Sequence, residues 1–426
     1  MNIIDELRWR GLFSDCTDET GLGKLLDSKS VTLYCGFDPT ADSLHVGNLV
    51  PLLALRRFQN AGHRPIAVAG GATGMIGDPS GKSAERTLLT REKLSGNIEA
   101  VKDQLARLLD FETEGNPALL LDNASWTAEV SYLDFLRDIG KSFTVNMMVA
   151  KESVRARMND REVGISYTEF SYMLLQAFDF YKLREQHDCE LQIGGSDQWG
   201  NITAGMDLTR KKLGSSVYGL TLPLITNADG SKFGKSVEGA VWLDPQKTSP
   251  YKFYQFWINT DDRDVIKYLR YFTFLDEASI NDLAARHEAD PAAREAHRAL
   301  AKEMTDLIHG ETATAEAVAT SQSLFSKGGN EVTAAMLEEI QETAPSLELD
   351  KSELGGDGMG LIDLLAQTEL FKSKGEARRA IQGNGISVNN VKEPDIERRL
   401  TETDLLFDKH ILLKKGKKNY VVVTAT

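Results

Sequence analysis

The stretch YCGFDPTADSLHVGN, Tyr34 to Asn48, ends one apolar run, turns through a proline and opens an amphipathic run near His45. Strand, turn and helix in that order are the opening of a βαβ unit, so the neighbouring sequence should repeat the alternation. It does: Val31 to Cys35, Pro65 to Ala69 and Leu119 to Leu121 read as strands, and helical periodicity runs over 48–60 and 91–109. This rhythm predicts an α/β fold built on a doubly wound, mostly parallel sheet. Its ligand crevice should lie at the carboxyl ends of the strands, where the Gly-rich and polar turns fall.

At 426 residues and 41% apolar content the chain is long enough for two to four domains. No run approaches the roughly 20 apolar residues of a membrane span, and MNIIDELRWRGLF reads as a charged amphipathic helix and not as a signal peptide, which predicts a cytoplasmic protein with no membrane partner. Cys16, Cys35 and Cys189 form no CxxC pair and His187-x-Cys189 supplies too few ligands, so neither disulfides nor a structural metal is predicted. A formal charge of -14 argues against indiscriminate nucleic-acid coating. The charge is uneven, however: from residue 371 onward 12 Lys and Arg face 7 Asp and Glu, so the tail carries +5 and the rest -19.

The expected organisation is a catalytic domain over 1–223, a connecting segment over 224–250, a helical domain over 251–325, a polar linker over 326–356 and a small α+β unit over 357–426. In the helical part Val265, Tyr268, Leu269 and Phe272 share one face. In the last unit Ser373 and Glu376 suit a capping box, and two strand-like runs flank the turn Lys414 to Lys418.

Three loops suit phosphate chemistry. At the first, a helix N-terminus offers unpaired N–H groups, Gly47 lets a nucleotide approach the backbone, and Thr40 and His45 can donate to developing negative charge; an ordinary capped turn would look the same. The second, GGATGMIGDPSGK (Gly70 to Lys82), is not a P-loop, because Ile76 stands where that motif needs glycine. It is a close-approach turn with either a structural or a ligand role. In the third, ADGSKFGKS (Ala228 to Ser236), Lys232 and Lys235 can neutralise a leaving pyrophosphate and Gly234 gives freedom to move, although paired lysines are also common on plain solvated surface.

Together with YTEFSYMLLQAFDF and LQIGGSDQWGNI, these stretches resemble, in their order and along nearly the whole chain, the bacterial-type tyrosyl-tRNA synthetases of class I. The resemblance implies a Rossmann-like catalytic domain, a helical anticodon-side domain and an S4-like RNA-binding domain. It implies activation of tyrosine by ATP with Mg2+, transfer to tRNA(Tyr), and a homodimer. Within YTEFSYMLLQAFDF, Tyr172, Gln176 and Asp179 stand at i, i+4 and i+7, apart from the stripe of Phe170, Met173, Leu174, Ala177 and Phe178. The family's pocket would place Tyr172 and Gln176 at the α-amino group with Asp78 and Gln192, and Tyr34 with Asp179 at the phenol. The nucleotide would meet Cys35, Gly36, Asp38, Thr40, His45, Gly47, Asn48, Gly195, Asp197 and Lys235, with Asp197 at the ribose and Gln198 at the reaction centre. Thr40, His45, Lys232 and Lys235, supported by Lys82 and Arg86, would serve the transition state. Arg378, Arg379, Lys414, Lys415, Lys417 and Lys418 would meet RNA phosphates, with Arg210-Lys211-Lys212 a further candidate for the acceptor arm. Asn48 stands where many of the family carry a second histidine, and Pro51 occupies a variable site.

Three other functions remain open to the sequence. A tryptophanyl enzyme would share the fold, but indole has no hydroxyl for Tyr34 and Asp179 to meet. A small nucleotidyltransferase would lack the basic tail. An RNA-binding scaffold with an inactive synthetase body is opposed by the complete pocket and the paired lysines.

Overall fold

The computed structural model describes residues 2–80, 90–159, 164–231, 233–236, 239–325, 337, 345–416 and 419–426. Lys82, Arg86, Lys232, Lys417 and Lys418 therefore lie outside the described residues. The chain forms two compact units, Met1–Thr248 with Ile258–Ile308, and Ser249–Trp257 with His309–Thr426.

The first unit is organised by five strands: β1 (Thr32–Phe37), β2 (Arg64–Ala69), β3 (Leu119–Asp122), β4 (Cys189–Gly195) and β5 (Tyr218–Leu222). Every pairing is parallel and the order is β3-β2-β1-β4-β5. Five of the six residues of β2 are buried, as expected for a strand covered on both faces. The direction of winding reverses between β1 and β4, and a crevice at the carboxyl ends of these two strands is the place such a sheet offers to a ligand. In the register of that pair Tyr34 lies opposite Gln192.

Helix Leu49–Asn60 follows the β1 turn and helix Tyr167–His187 leads into β4. The latter starts at Ser166, whose side chain accepts from the Glu169 amide, and ends at Asp188 in the left-handed region. Its Met173, Ala177, Phe180 and Leu183 join Tyr34, Ile66 and Val68 in one core. Tyr172 and Asp179 are buried as well, so the second face of this helix meets protein and not water.

Helix Val265–Phe272 belongs to the first unit and buries the four apolar residues that the periodicity picks out. Its C-terminal turn is held by two guanidinium groups. Arg10 donates to the carbonyls of Arg270 (3.1 Å), Thr273 (3.1 Å) and Leu275 (2.9 Å), and Arg57 to those of Tyr271 (3.1 Å) and Thr273 (2.8 Å). Cations at a helix C-terminus complement its dipole, which here offsets a burial that pulls the Arg57 guanidinium down to about 9 with Arg10 beside it.

The second unit contains a five-stranded sheet in the order Val391–Lys392, Ile386–Val388, His410–Lys415, Asn419–Ala425, Ser346–Leu349, with helices Leu361–Gln367 and Lys374–Gln382. Part of the expected linker is strand: Ser346–Leu349 pairs in parallel with Asn419–Ala425, and Leu349 and Leu354 enter the core of this unit. The polar composition of 326–356 hides these two apolar anchors. Ser373 caps its helix by accepting from the Glu376 amide, but Glu376 reaches back to the Lys372 amide, so the capping box is displaced by one residue.

Candidate active site

The crevice holds a continuous polar network. Asp179, buried on helix Tyr167–His187, accepts from Trp126 Nε1 (2.8 Å) and Asn123 Nδ2 (3.0 Å). Asn123 also donates to Thr73 Oγ1 (3.0 Å), which donates to Asp38 (2.7 Å), whose other oxygen accepts from Tyr172 Oη (2.8 Å). Asn123 thus links the carboxylate at one end of the pocket to that at the other. Burial pushes Asp179 up to about 7 although both donors favour its charged form, and Asp38 and Asp122 push in the same direction as burial.

Tyr34 and Gln192 complete this wall from β1 and β4. Tyr34 is 1% exposed, stands edge-on to Phe180 with ring centroids 5.3 Å apart, and its Oη has no hydrogen-bond partner among the described residues; Gln192, 2% exposed, leaves its Oε1 equally unpaired among them. Burial, with the charge of Asp179 next in weight, holds the Tyr34 phenol well above its ordinary value, so the group stays an O–H donor. Buried polar atoms are rarely left without partners unless a ligand supplies them. The pocket is apolar around its ring and polar at its end.

At the other end Gln198 Nε2 donates to Asp78 (2.7 Å), and Asn201, 3% exposed, donates to Gln176 Oε1 (3.0 Å) and Gln198 Oε1 (3.1 Å). Gln192 is the register neighbour of Tyr34 across β1 and β4. Asp38, expected at the nucleotide, is joined to Tyr172. The loop glycines are explained by the same network, since a Cβ on Gly70 would fall 2.1 Å from Asp38 Oδ1 and one on Gly71 2.1 Å from Asp122 Oδ1. They are small because carboxylates occupy the space.

Around the nucleotide turn His45 caps the short helix Val46–Asn48: its Nδ1 accepts from the Gly47 amide (3.0 Å) and its own amide donates to Asn48 Oδ1 (3.0 Å). An accepting Nδ1 places the proton of neutral His45 on Nε2, the tautomer that can donate to phosphate. Both readings of His45, cap and donor, are thus compatible. A Cβ on Gly47 would lie 2.8 Å from the His45 ring, so the glycine is needed for the cap itself. Asn48 has its carbonyl oxygen committed, leaving the amide NH2 for a nucleotide. Thr40 is exposed, with its amide bonded to the Asp38 carbonyl (2.8 Å). A Cβ on Gly36 would meet open space, whereas one on Gly195 would meet Asp197 at 2.6 Å. Burial raises both Cys35, to about 12, and Asp197.

Lys235 begins the two-residue strand Lys235–Ser236, paired with Gly239–Ala240. The loop before it touches the nucleotide turn: Gly234, at φ +81°, accepts from the Val241 amide (3.1 Å), and a Cβ there would lie 2.9 Å from Val46. Val241 and Leu243 in turn bond to Val46 and Leu44 at 2.9 Å each. The two signature loops are neighbours.

Asn123 and Trp126 escaped the sequence reading, and Thr73 and Asn201, although inside the quoted stretches GGATGMIGDPSGK and LQIGGSDQWGNI, were given no role there. In the second unit Arg378 and Arg379 are exposed on helix Lys374–Gln382. Lys414 is half-buried and pulled down to about 8 by that burial. Lys415, expected at RNA, is held internally by Glu376 (2.9 Å) and the Leu370 carbonyl (2.9 Å), above the Phe371 ring. Arg210 and Lys211 both pair with Asp207.

Comparison with known proteins agrees with this geometry. A family described as tRNA synthetases class I (W and Y) matches residues 26–326, and a tyrosine-tRNA ligase SYY-like C-terminal domain matches residues 337–423. The chain is 56% identical to a tyrosine-tRNA ligase of Opitutus terrae and 55% to one of Roseiflexus castenholzii, each over 99% of both chains. Among solved structures, a C-terminally truncated mitochondrial tyrosyl-tRNA synthetase of Aspergillus nidulans superposes with a TM-score of 0.69 at 30% identity, covering 76% of this chain and 94% of that one. A parallel sheet, a buried polar network beside its first and fourth strands and adjoining signature loops accompany a match over nearly the full length, and the chain is a member of the class I tRNA synthetases of the tryptophan and tyrosine group.

Proposed function

We propose that the chain activates L-tyrosine with ATP and transfers it to the 3′ end of tRNA(Tyr), as a tyrosine-tRNA ligase. One observation carries the choice of tyrosine: the unpartnered, buried Oη of Tyr34 beside the carboxylate of Asp179. A phenol hydroxyl accepts from Tyr34 and donates to Asp179. Phenylalanine offers the Tyr34 hydroxyl no acceptor, at a cost of about 1–3 kcal/mol for that buried group, and tryptophan, whose indole N–H donates but does not accept, leaves it equally unmet.

Tyr172, Gln176 and Asp78, steadied by Asn201 and Gln198, are assigned to the α-amino group. The substrate carboxylate attacks the α-phosphorus of ATP and pyrophosphate leaves; a terminal ribose hydroxyl of tRNA then takes the tyrosyl group from the adenylate and AMP leaves. No protein nucleophile is needed, so positioning and charge stabilisation supply the rate. The Nε2–H of His45 and Thr40 are assigned to the phosphate oxygens, with Lys82, Arg86, Lys232 and Lys235 as cations, while Asp197 is assigned to the ribose and Cys35, Gly36 and Gly195 to the nucleotide. Among the described residues no group of three or more His, Cys, Asp or Glu converges on a cation position, so magnesium is assigned to the phosphates of ATP, where it neutralises their charge.

Arg378 and Arg379 are assigned to RNA, and the domain bounds at 223, 250 and 325 are kept as functional divisions, while Ser346–Leu349 and Leu354 are counted with the last unit. The homodimer is supported by exposed apolar side chains between 132 and 167, with Tyr132 63%, Leu133 75%, Val145 64% and Tyr167 63% exposed, more than a monomer usually leaves in contact with water. No helix among the described residues is long and apolar enough to cross a membrane, and a cytoplasmic location is part of the proposal. Charging of a tRNA(Tyr) transcript with labelled tyrosine tests the whole reading. Acceptance of tyrosine alone supports it, and acceptance of tryptophan instead would overturn it.

A further inference from the structure

The described residues of the loop 227–236 are held from one side by helix Val265–Phe272. Tyr268 Oη donates to Asn227 Oδ1 (2.7 Å), and Asn227 closes the turn by donating to Ser231 Oγ (2.8 Å) and to its carbonyl (3.0 Å). Asp264 accepts from the Ala228 amide (2.7 Å). The ring of Phe233, inside the signature KFGKS, stands edge-on to Tyr268 (centroids 5.0 Å) and stacks on Phe272 (5.1 Å, 20° between planes). All of these partners lie on, or one residue before, helix Val265–Phe272, whose C-terminal turn is fixed by Arg10 and Arg57. On its far side the same loop rests by Gly234 against Val46 and Gly47, the turn that His45 caps. The order in space is helix, Phe233, Gly234, nucleotide turn.

We propose that helix Val265–Phe272 is the seat that fixes this loop relative to His45, with Tyr268 a positioning residue for adenylate formation; this rests on the activity proposed above. A loop that acts on the leaving pyrophosphate must be placed within a fraction of an ångström to aid the transition state. Fixing it from a helix in the segment 251–325 gives that segment a part in catalysis as well as any part in RNA binding. Tyrosine is bound elsewhere and should not sense the seat.

The test is pyrophosphate exchange by the full chain in wild type, Tyr268→Phe, Asn227→Ala and the double variant. Phenylalanine keeps the ring and its contact with Phe233, so the fold is retained and only the bond to Asn227 goes. Tyr268→Phe should lower kcat by about 3- to 10-fold, the effect of one lost hydrogen bond, with the KM for tyrosine unchanged. The double variant should be no slower than Asn227→Ala alone, because both remove the same bond. Wild-type kcat in Tyr268→Phe, equal losses in kcat and tyrosine affinity, or additive effects would each overturn the positioning role. Absence of tyrosine-dependent exchange in the wild type would remove the proposed activity and this inference together, whereas normal exchange in wild type and variant alike removes the inference only.

Discussion

Replacing Trp126 by phenylalanine isolates the electrostatics of the phenol site. The ring remains, but Asp179 loses the donor at 2.8 Å that helps to keep it ionised at a position where burial has already pushed it up to about 7. A hydrogen bond to a charged group contributes about 1.5–3 kcal/mol, and at about 1.4 kcal/mol per pKa unit its loss raises the carboxyl by roughly one to two units. At about pH 7.5 the ionised fraction then falls from roughly three quarters to a quarter or less. The carboxylate accepts the phenol O–H far more strongly than the protonated acid does, so kcat/KM for tyrosine should fall by up to about 3- to 25-fold at that pH and recover as pH rises above about 9. The assay is the pH profile of tyrosine-dependent pyrophosphate exchange in wild type and variant. An inflection that stays where it was, or a loss undiminished at high pH, refutes the reasoning.

Tyr34→Phe removes an Oη that has no partner among the described residues, so thermal stability should hold or rise while the KM for tyrosine increases about 5- to 10-fold and discrimination against phenylalanine narrows, as melting and exchange assays would show. Gly70→Ala drives a methyl to 2.1 Å from Asp38; the overpacking should cost about 1–3 kcal/mol in denaturant unfolding and detach Asp38 from Tyr172, raising the KM for tyrosine. In the second unit, Arg378→Ala should weaken tRNA binding and flatten its salt dependence by about one phosphate contact without altering unfolding. Lys415→Met should do the reverse, lowering stability with little change in the salt slope, because its ammonium serves Glu376 and Leu370.

Strands and helices of the first unit were legible because their apolar periodicities are long and uninterrupted: β1, β2, β3 and helix Leu49–Asn60 lie within one or two residues of the positions read from the sequence. The pocket positions Tyr34, Tyr172, Gln176 and Asp179 were legible from motif resemblance. Asn123 and Trp126 were not, since they follow β3 some 53 to 56 residues from the carboxylate they orient and only the sheet order brings them to it. Gly70 and Gly71 looked like ligand or turn glycines, yet their smallness is set by Asp38 and Asp122, a fact of packing that no local pattern carries. Ser346–Leu349 was missed because four residues set in polar, acidic surroundings look like linker until Asn419–Ala425 supplies a partner strand. Lys415 shows the same limit for charge, since a basic run does not reveal which ammonium is already paired.

Tyrosine-dependent exchange of labelled pyrophosphate into ATP, run beside tryptophan and phenylalanine and repeated with Asp179→Ala and Lys235→Ala, tests the central claim most directly. Exchange with tyrosine alone, greatly reduced in both variants, is the predicted result. Folded protein that exchanges with none of the three, or with tryptophan in preference to tyrosine, would contradict it.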